Sequence, residues 1–210
     1  MSPGTDLSPV QSNVGPPNVR FDIDDCCSAW TYPPNSFDFI HVRSMLGSVE
    51  DWTTFYKECM SHLKPGGYIE QAEFSVIAKS DDDTLSPGSA LDEWGKFSVR
   101  AGEISGRSFQ VGEQMQDWIK EAGFVDVVEQ RYKWPIGSWS SDPKLKELGR
   151  WNLVHWEEGM EGWMIANATR IFKWTYEDSQ EYLAKMREAL RSRKYHAYHE
   201  VGVVYARKPL

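Results

Sequence analysis

The spacing between apolar residues changes several times along this chain, and these changes predict a protein of mixed strands and helices. Val19–Ile23 is apolar at every second residue, as in a half-exposed strand. Phe37–Val42 is a dense apolar run, which is typical of a strand buried in a parallel sheet. Between Trp52 and Leu63 apolar residues recur every three or four positions and form one helical face. Tyr68–Ala78 returns to a strand.

The second half of the chain is richer in helical patterns. The first helix is predicted to start at Ser48, with Asp51 completing its cap. Further helices are predicted from Ser86-Pro87, over Val111–Ala122, after Asp142-Pro143 and after a capping box at Thr175–Asp178. Strands are predicted at Phe124–Tyr132 and His199–Ala206. The alternation of strands and helices predicts an α/β fold with a mostly parallel sheet. We expect one domain over residues 1–210. Its sheet core comes from 1–85 and 196–210, and 86–195 form a helical, substrate-facing lid.

Charge and hydropathy exclude two classes of partner. The formal net charge is −8, and there is no basic run, so nucleic acid is not expected as a partner. No stretch approaches the roughly 20 apolar residues of a membrane span. The first residues lack the charged-then-apolar pattern of a secretion signal. The expected location is cytoplasmic, with the nucleus as the alternative.

The cysteines and histidines do not predict a metal centre. Three cysteines are too few for a disulfide framework, and the five histidines have no partners at ligand spacing. The adjacent Cys26-Cys27 pair leaves three interpretations open, namely reduced thiols, a strained disulfide between neighbours, or a soft-metal site.

Tryptophan is abundant. Of the ten tryptophans, seven fall between Trp94 and Trp163. Such rings form either a large core or a pocket for a hydrophobic ligand, and the two are compatible. We expect Trp151, Trp156 and Trp163 to line a pocket for a hydrophobic small molecule.

Five segments, taken in order, resemble one family. They are Gly4–Pro9, Phe21–Asp25, Phe37–Arg43, Leu63–Glu70 and Val204–Pro209. Together they are similar to the S-adenosylmethionine (SAM) methyltransferases of filamentous fungi, in particular the LaeA-like group. The resemblance implies a truncated class I methyltransferase sheet of Rossmann type.

The resemblance also implies cofactor positions. Asp6 occupies the place of the acid that binds the ribose hydroxyls, and Asp24 and Asp25 would lie near the adenine amine. In this family a Gly-rich loop follows a strand that precedes Thr5–Leu7, and the 210 residues do not include that loop. We therefore expect no cofactor, and no SAM binding in the manner of the family.

Candidate chemistry follows from the position of strand ends. In open α/β sheets, ligands bind beyond the carboxyl ends of the strands. His41, Arg43, Glu70 and Glu73 are the catalytic candidates there, with His155 on the long helix as another. Four of these candidates also have a purely structural interpretation. These are an ion pair of Arg43 with Asp6 or Asp24, surface positions for the two glutamates, and a core position for His155.

These residues and the resemblance lead to a first hypothesis and two alternatives. The first is a SAM-independent catalyst, of cyclase or pericyclase type, acting on a hydrophobic fungal secondary metabolite. The alternatives are a SAM-dependent methyltransferase, whose remaining part is supplied elsewhere, and a non-catalytic regulatory partner.

A homodimer is also expected. In the resembling fold the first strand is central, between the second and the fourth. Without it two strand edges are unpaired, and exposed strand edges favour pairing with another chain.

Overall fold

The computed structural model describes residues 2–9, 11 and 15–210. The strands are β1 (Ser2–Asp6), β2 (Val19–Ile23), β3 (Phe37–Arg43), β4 (Leu63–Phe74), β5 (Val125–Pro135) and β6 (Tyr198–Arg207). The helices are α1 (Trp52–His62), α2 (Ala90–Ser105), α3 (Val111–Glu121), α4 (Pro143–Ala166) and α5 (Tyr176–Arg191), and a π-helical turn, Asn167–Ile171, directly continues α4. The α/β class expected from the sequence is confirmed.

The described strands form two sheets. β1 and β2 pair in parallel as a two-stranded sheet, and the other four strands have the order β3-β4-β6-β5. In the larger sheet β3 and β4 are parallel, while β6 runs antiparallel to both β4 and β5. Among the described strands, parallel pairing is therefore confined to β1–β2 and β3–β4.

One face of the four-stranded sheet is covered by α1 and α3. Ile69, Val204 and Ala206 point to this side and are fully buried with Met115 and other apolar side chains of the helices. Close packing leaves no room at Gly202, where an added Cβ would lie 2.7 Å from the Met115 Cε. This face holds the main core of the chain.

The opposite face of the same sheet stays largely open. Because side chains alternate along a strand, residues directly opposite each other on neighbouring strands share a face. The rows on this side are His41–Glu70–Tyr205–Val128 and Arg43–Ala72–Val203–Gln130. Phe39 and Tyr132 on the same side are about half exposed. We call this surface the open face.

A second apolar cluster joins α2, α4 and α5. Trp94, Trp156, Met160, Leu183 and Met186 are its buried centre. The N-terminal part of the long helix α4 packs beside the Pro135 end of β5, where the Asn152 side-chain amide donates to the Pro135 carbonyl at 2.9 Å. The helices thus cover one end of the sheet.

Several predicted boundaries are confirmed. Asp142 caps α4 by accepting from the backbone N–H groups of Lys144 and Leu145, and the Thr175–Asp178 capping box is complete. The cap predicted at Ser48 is wrong. Asp51 itself caps α1, with its carboxylate accepting from the Thr54 N–H at 3.0 Å, because Ser48 is held in a turn by its hydrogen bond to the Met45 carbonyl.

The start of β4 also differs from expectation, since the sequence pattern predicts a strand only from Tyr68. α1 ends at His62, before the proline, and β4 begins at Leu63 and runs through the glycines. Pairing with β3 shifts register between Phe37 and Phe39, so the segment forms an irregular start to the strand. Gly66 has φ +78°, a value that few other residues tolerate.

Candidate functional site

A histidine–glutamate pair marks the open face. Phe37–Arg43 forms a strand because of its apolar density, and the alternation places His41 on the solvent side. The same register places Glu70 directly opposite, and His41 Nδ1 lies 3.0 Å from Glu70 Oε1. Both side chains remain about two-fifths exposed. A carboxylate that fixes one ring nitrogen leaves the other available for proton transfer.

Aromatic side chains surround this pair. The Phe39 ring stacks beside the His41 ring with centroids 6.3 Å apart and an interplanar angle of 23°. Tyr68 is 41% exposed next to Phe39 on the neighbouring strand. Arg43 lies one row further along the open face and is exposed, and within the described residues it forms no ion pair. The open face therefore presents apolar area with a few polar groups.

Glu73 belongs to the other side of the sheet. It lies three positions after Glu70, an odd number, so it points to the covered face, where it is 1% exposed. Its carboxylate accepts from the Met45 N–H at 2.9 Å and from the Gln71 side-chain amide at 3.1 Å. Burial raises the pKa of Glu73, and the two hydrogen bonds oppose that rise. In this position Glu73 holds the loop after β3 and does not reach the open face.

The three tryptophans expected to line a pocket do not all come together, and only Trp156 and Trp163 are in contact. Trp156 is 2% exposed and is part of the helical core. Trp163 packs edge-on against Trp156 at 5.4 Å and contacts the exposed His155 ring at 4.7 Å. Trp151 is 67% exposed on the outer side of α4. The geometry therefore favours a core position for Trp156 and a surface position for Trp151.

His199 is a residue that the sequence interpretation missed. It lies on the open-face side of β6, at the end of the strand that α4 covers. Its side chain is 2% exposed beneath Trp156, and the two rings are stacked with their centroids 5.2 Å apart. Nδ1 donates to the Ser75 carbonyl at 2.7 Å, which makes Nε2 the unprotonated nitrogen of the neutral ring. Nε2 is buried without a hydrogen-bond partner among the described residues. Burial lowers the pKa of His199 to about 4.

The cofactor candidates lie on the small sheet or in the turn that follows it. Asp6 ends β1 and accepts from the Ser8 N–H at 2.9 Å, while Asp24 accepts from the Asp25 N–H at the same distance. Asp25 in turn accepts from the Cys27 N–H. Asp24 and Asp25 are exposed and Asp6 is partly buried, and all three carboxylates accept hydrogen bonds from neighbouring backbone groups. The described β1–β2 sheet makes no backbone pairing with the sheet that carries His41.

The cysteines are close to one another at this end of the chain. Cys26 is half-buried, Cys27 is exposed and Cys59 is fully buried in α1. Burial, followed by the proximity of Cys27, raises the pKa of the Cys26 thiol to about 12. Burial also raises the pKa of Cys59. Among the residues that the structure describes, all three cysteines are free and none is joined to another.

Comparison with known proteins identifies the family. A family model described as "Methyltransferase domain" matches residues 2–130, which is more than half of the chain. The chain belongs to this family. The methyltransferase domain has the class I, Rossmann-like fold, which explains the β3-β4-β6-β5 order with its antiparallel β6.

Fungal relatives of the methyltransferase domain match nearly the whole chain. "Methyltransferase pytC" of Aspergillus terreus is 37% identical over 206 residues, which are 98% of this chain and 63% of that protein. "Secondary metabolism regulator LAE1" of Cochliobolus heterostrophus is 35% identical over 209 residues, covering 98% and 68%. The chain therefore spans about two thirds of the length of these relatives.

A solved structure shows the same fold. Phosphoethanolamine N-methyltransferase 2 of Haemonchus contortus, in complex with S-adenosyl-L-methionine, aligns over 91% of this chain and 37% of its own chain, with a TM-score of 0.50 and 20% identity. No helix in the described part of the chain is long and apolar enough to cross a membrane.

Proposed function

We propose that this methyltransferase-fold chain acts on a hydrophobic small molecule of fungal secondary metabolism, without SAM, by holding it on the open face beside His41 and Glu70. The observation that carries the proposal is the His41–Glu70 pair, whose atoms lie 3.0 Å apart among exposed aromatic rings. The reaction class is a cyclisation or pericyclic step, in which binding the substrate in a reactive shape supplies most of the rate.

The chemistry proposed for the pair is proton transfer. Glu70 orients the imidazole through Nδ1, and the ring exchanges a proton with the substrate through Nε2. Phe39 and Tyr68 supply flat apolar contacts for a polycyclic ligand. Arg43, one row away on the same face, is placed to stabilise an oxyanion that develops during the reaction.

The absence of a cofactor is part of the proposal. Its support is that Asp6, Asp24 and Asp25 accept hydrogen bonds from neighbouring backbone groups and lie outside the four-stranded sheet. Each of these carboxylates keeps acceptor positions free, so the support comes from the methionine end of SAM, which needs contacts that three carboxylates at the small sheet do not supply. The homodimer expected from the strand edges stays a prediction.

SAM-dependent methyl transfer is the second candidate. Membership of the methyltransferase domain family favours it, as does the 37% identity to a protein named a methyltransferase. Asp6 and Asp24 stand at the ends of β1 and β2, where the family places its ribose and adenine contacts. The identity to LAE1 supports a regulatory role as the third candidate.

Titration with SAM separates the first two candidates. We expect no saturable heat in isothermal calorimetry and no rise in melting temperature. A ligand at 100 times its dissociation constant stabilises a protein by ~2.7 kcal/mol, which a thermal shift detects readily. One site per chain with a micromolar dissociation constant would contradict the proposal and favour methyl transfer.

Replacement of His41 tests the open face. In the producing fungus, a deletion strain complemented with His41→Ala should form at least ~100-fold less product than one complemented with wild type, because general acid–base catalysis contributes at least that factor. Mass spectrometry of the metabolites is the measurement. The product should be an isomer of the accumulating precursor. A product heavier by one CH₂ group would instead indicate methyl transfer.

The same strand provides the control. Asp38 lies on the opposite side of β3, is strongly exposed and pairs with Lys64 at 2.7 Å. Asp38→Asn should leave product formation at the wild-type level, because surface substitutions rarely disturb the fold. Equal losses in both variants would place the chemistry elsewhere.

A further inference from the structure

The turn after β2 brings three metal-ligating side chains together. The Asp25 carboxylate and the thiols of Cys26 and Cys27 offer one ligand atom each, and these atoms all lie within 4.8 Å of one another. Two sulfur ligands of one zinc ion, each at about 2.3 Å from it, are about 3.8 Å apart in a tetrahedron. The separations in this turn therefore exceed the tetrahedral value by at most about 1 Å.

The backbone of this turn is fixed by contacts that do not use the ligand atoms of the cysteines. The Trp30 indole N–H donates to the Cys26 carbonyl at 2.9 Å, and the Trp30 backbone N–H donates to the Glu58 carboxylate of α1 at 2.9 Å. The Trp30 ring also packs against Phe55 and His62. The two thiols therefore project from a turn that is anchored to α1.

Exposure gives the cluster an entry path. Cys27 and Asp25 are exposed while Cys26 is half-buried, so an ion reaches the three groups from solvent. The Asp25 carboxylate already accepts from the Cys27 N–H, which fixes the acid beside that cysteine. Three protein ligands leave a fourth tetrahedral position for water or an external ligand.

The geometry points to a binding site for a thiophilic divalent cation, of the zinc and cadmium class, formed by Asp25, Cys26 and Cys27. Two sulfurs favour soft d¹⁰ ions over magnesium and calcium, which prefer oxygen ligands. The site is independent of the function proposed for the open face. It lies in the turn after the small sheet and uses none of the open-face residues.

Cadmium is the probe of this site. The full chain, kept reduced with a phosphine, should bind one Cd²⁺ and develop the ultraviolet sulfur-to-cadmium charge-transfer band. Native mass spectrometry should count one ion per chain. Affinity should rise with pH, because the bound form of cysteine is the thiolate. A chain that shows no charge-transfer band at saturating Cd²⁺ would overturn the inference.

Variants assign the ligands. Cys27→Ser changes an exposed side chain, so folding should be preserved. The substitution should weaken Cd²⁺ binding by at least ~10- to 100-fold, which is the usual cost of losing a group that supports a metal site. Asp25→Asn should weaken binding while keeping the band, because the sulfurs remain. Cys59→Ala and Asp24→Asn are the matched controls and should bind as wild type. Unchanged binding in Cys27→Ser, or its loss in Cys59→Ala, would contradict the assignment.

Discussion

Replacing Trp156 by alanine should lower the free energy of unfolding by about 3–5 kcal/mol, the range for truncating a large buried ring. Trp156 is 2% exposed and lies at the centre of an aromatic group. Its ring contacts Trp94 edge-on at 5.0 Å, Trp163 edge-on at 5.4 Å and His199 face-on at 5.2 Å. The cavity left by alanine would remove contacts on three sides at once.

Urea denaturation measures this loss. The midpoint should fall while the slope of the free energy against urea concentration stays constant. Trp151→Ala is the matched control, since it lies on the same helix but is 67% exposed. Its effect should stay within about 0.5 kcal/mol. Similar losses in the two variants would mean that helix propensity, and not the aromatic core, determines the result.

Acid should destabilise the folded chain through His199. Burial lowers the pKa of His199 to about 4 from an ordinary 6.5. Below pH 6.5 the unfolded state therefore binds a proton that the folded state does not, so stability falls as the pH is lowered. The stability that comes from keeping His199 neutral is fully present above pH 6.5. About 3 kcal/mol of the free energy of unfolding is lost by the time the pH falls below about 4.

Other groups titrate in the same range, so the comparison must be made between variants. The pKa of Glu73 is raised by burial, and protonation of this acid opposes the effect of His199. His199→Asn keeps a donor for the Ser75 carbonyl and does not titrate. This variant should be less stable than wild type at pH 7. The difference in the free energy of unfolding between the two proteins should shrink by ~3 kcal/mol when the pH is lowered to 4.

The exposed Trp151 provides the control for the pH series. Trp151→Ala should give a curve parallel to wild type, because the exposed indole carries no group that titrates in this range. Parallel curves for His199→Asn and wild type would show that His199 does not titrate differently in the folded and unfolded states.

Local sequence determined most of the secondary structure. The periods of apolar residues placed β2, β3, α1 and α3 close to their observed bounds, because those patterns reflect the face that each element buries. Capping chemistry at Asp142 and Thr175 also acts within a few residues and was predicted. The start of β4 was missed, since its register with β3 depends on a distant strand.

The candidate site was only partly visible in the sequence. His41 and Glu70 were singled out as separate candidates, and their pairing at 3.0 Å follows from the β3–β4 register. The grouping of Glu70 with Glu73 ignored the alternation of side chains, which sends the two acids to opposite faces of β4.

The fold class, the family and the position of most elements can be predicted from the amino-acid sequence, because these depend on local patterns and ordered motifs. Which side chains meet depends instead on the tertiary structure. It left Trp151 exposed, buried Trp156 on His199, and paired His41 with Glu70 across two strands. These outcomes depend on strand register and on the packing of α4 across the sheet, and no single segment of the chain encodes either.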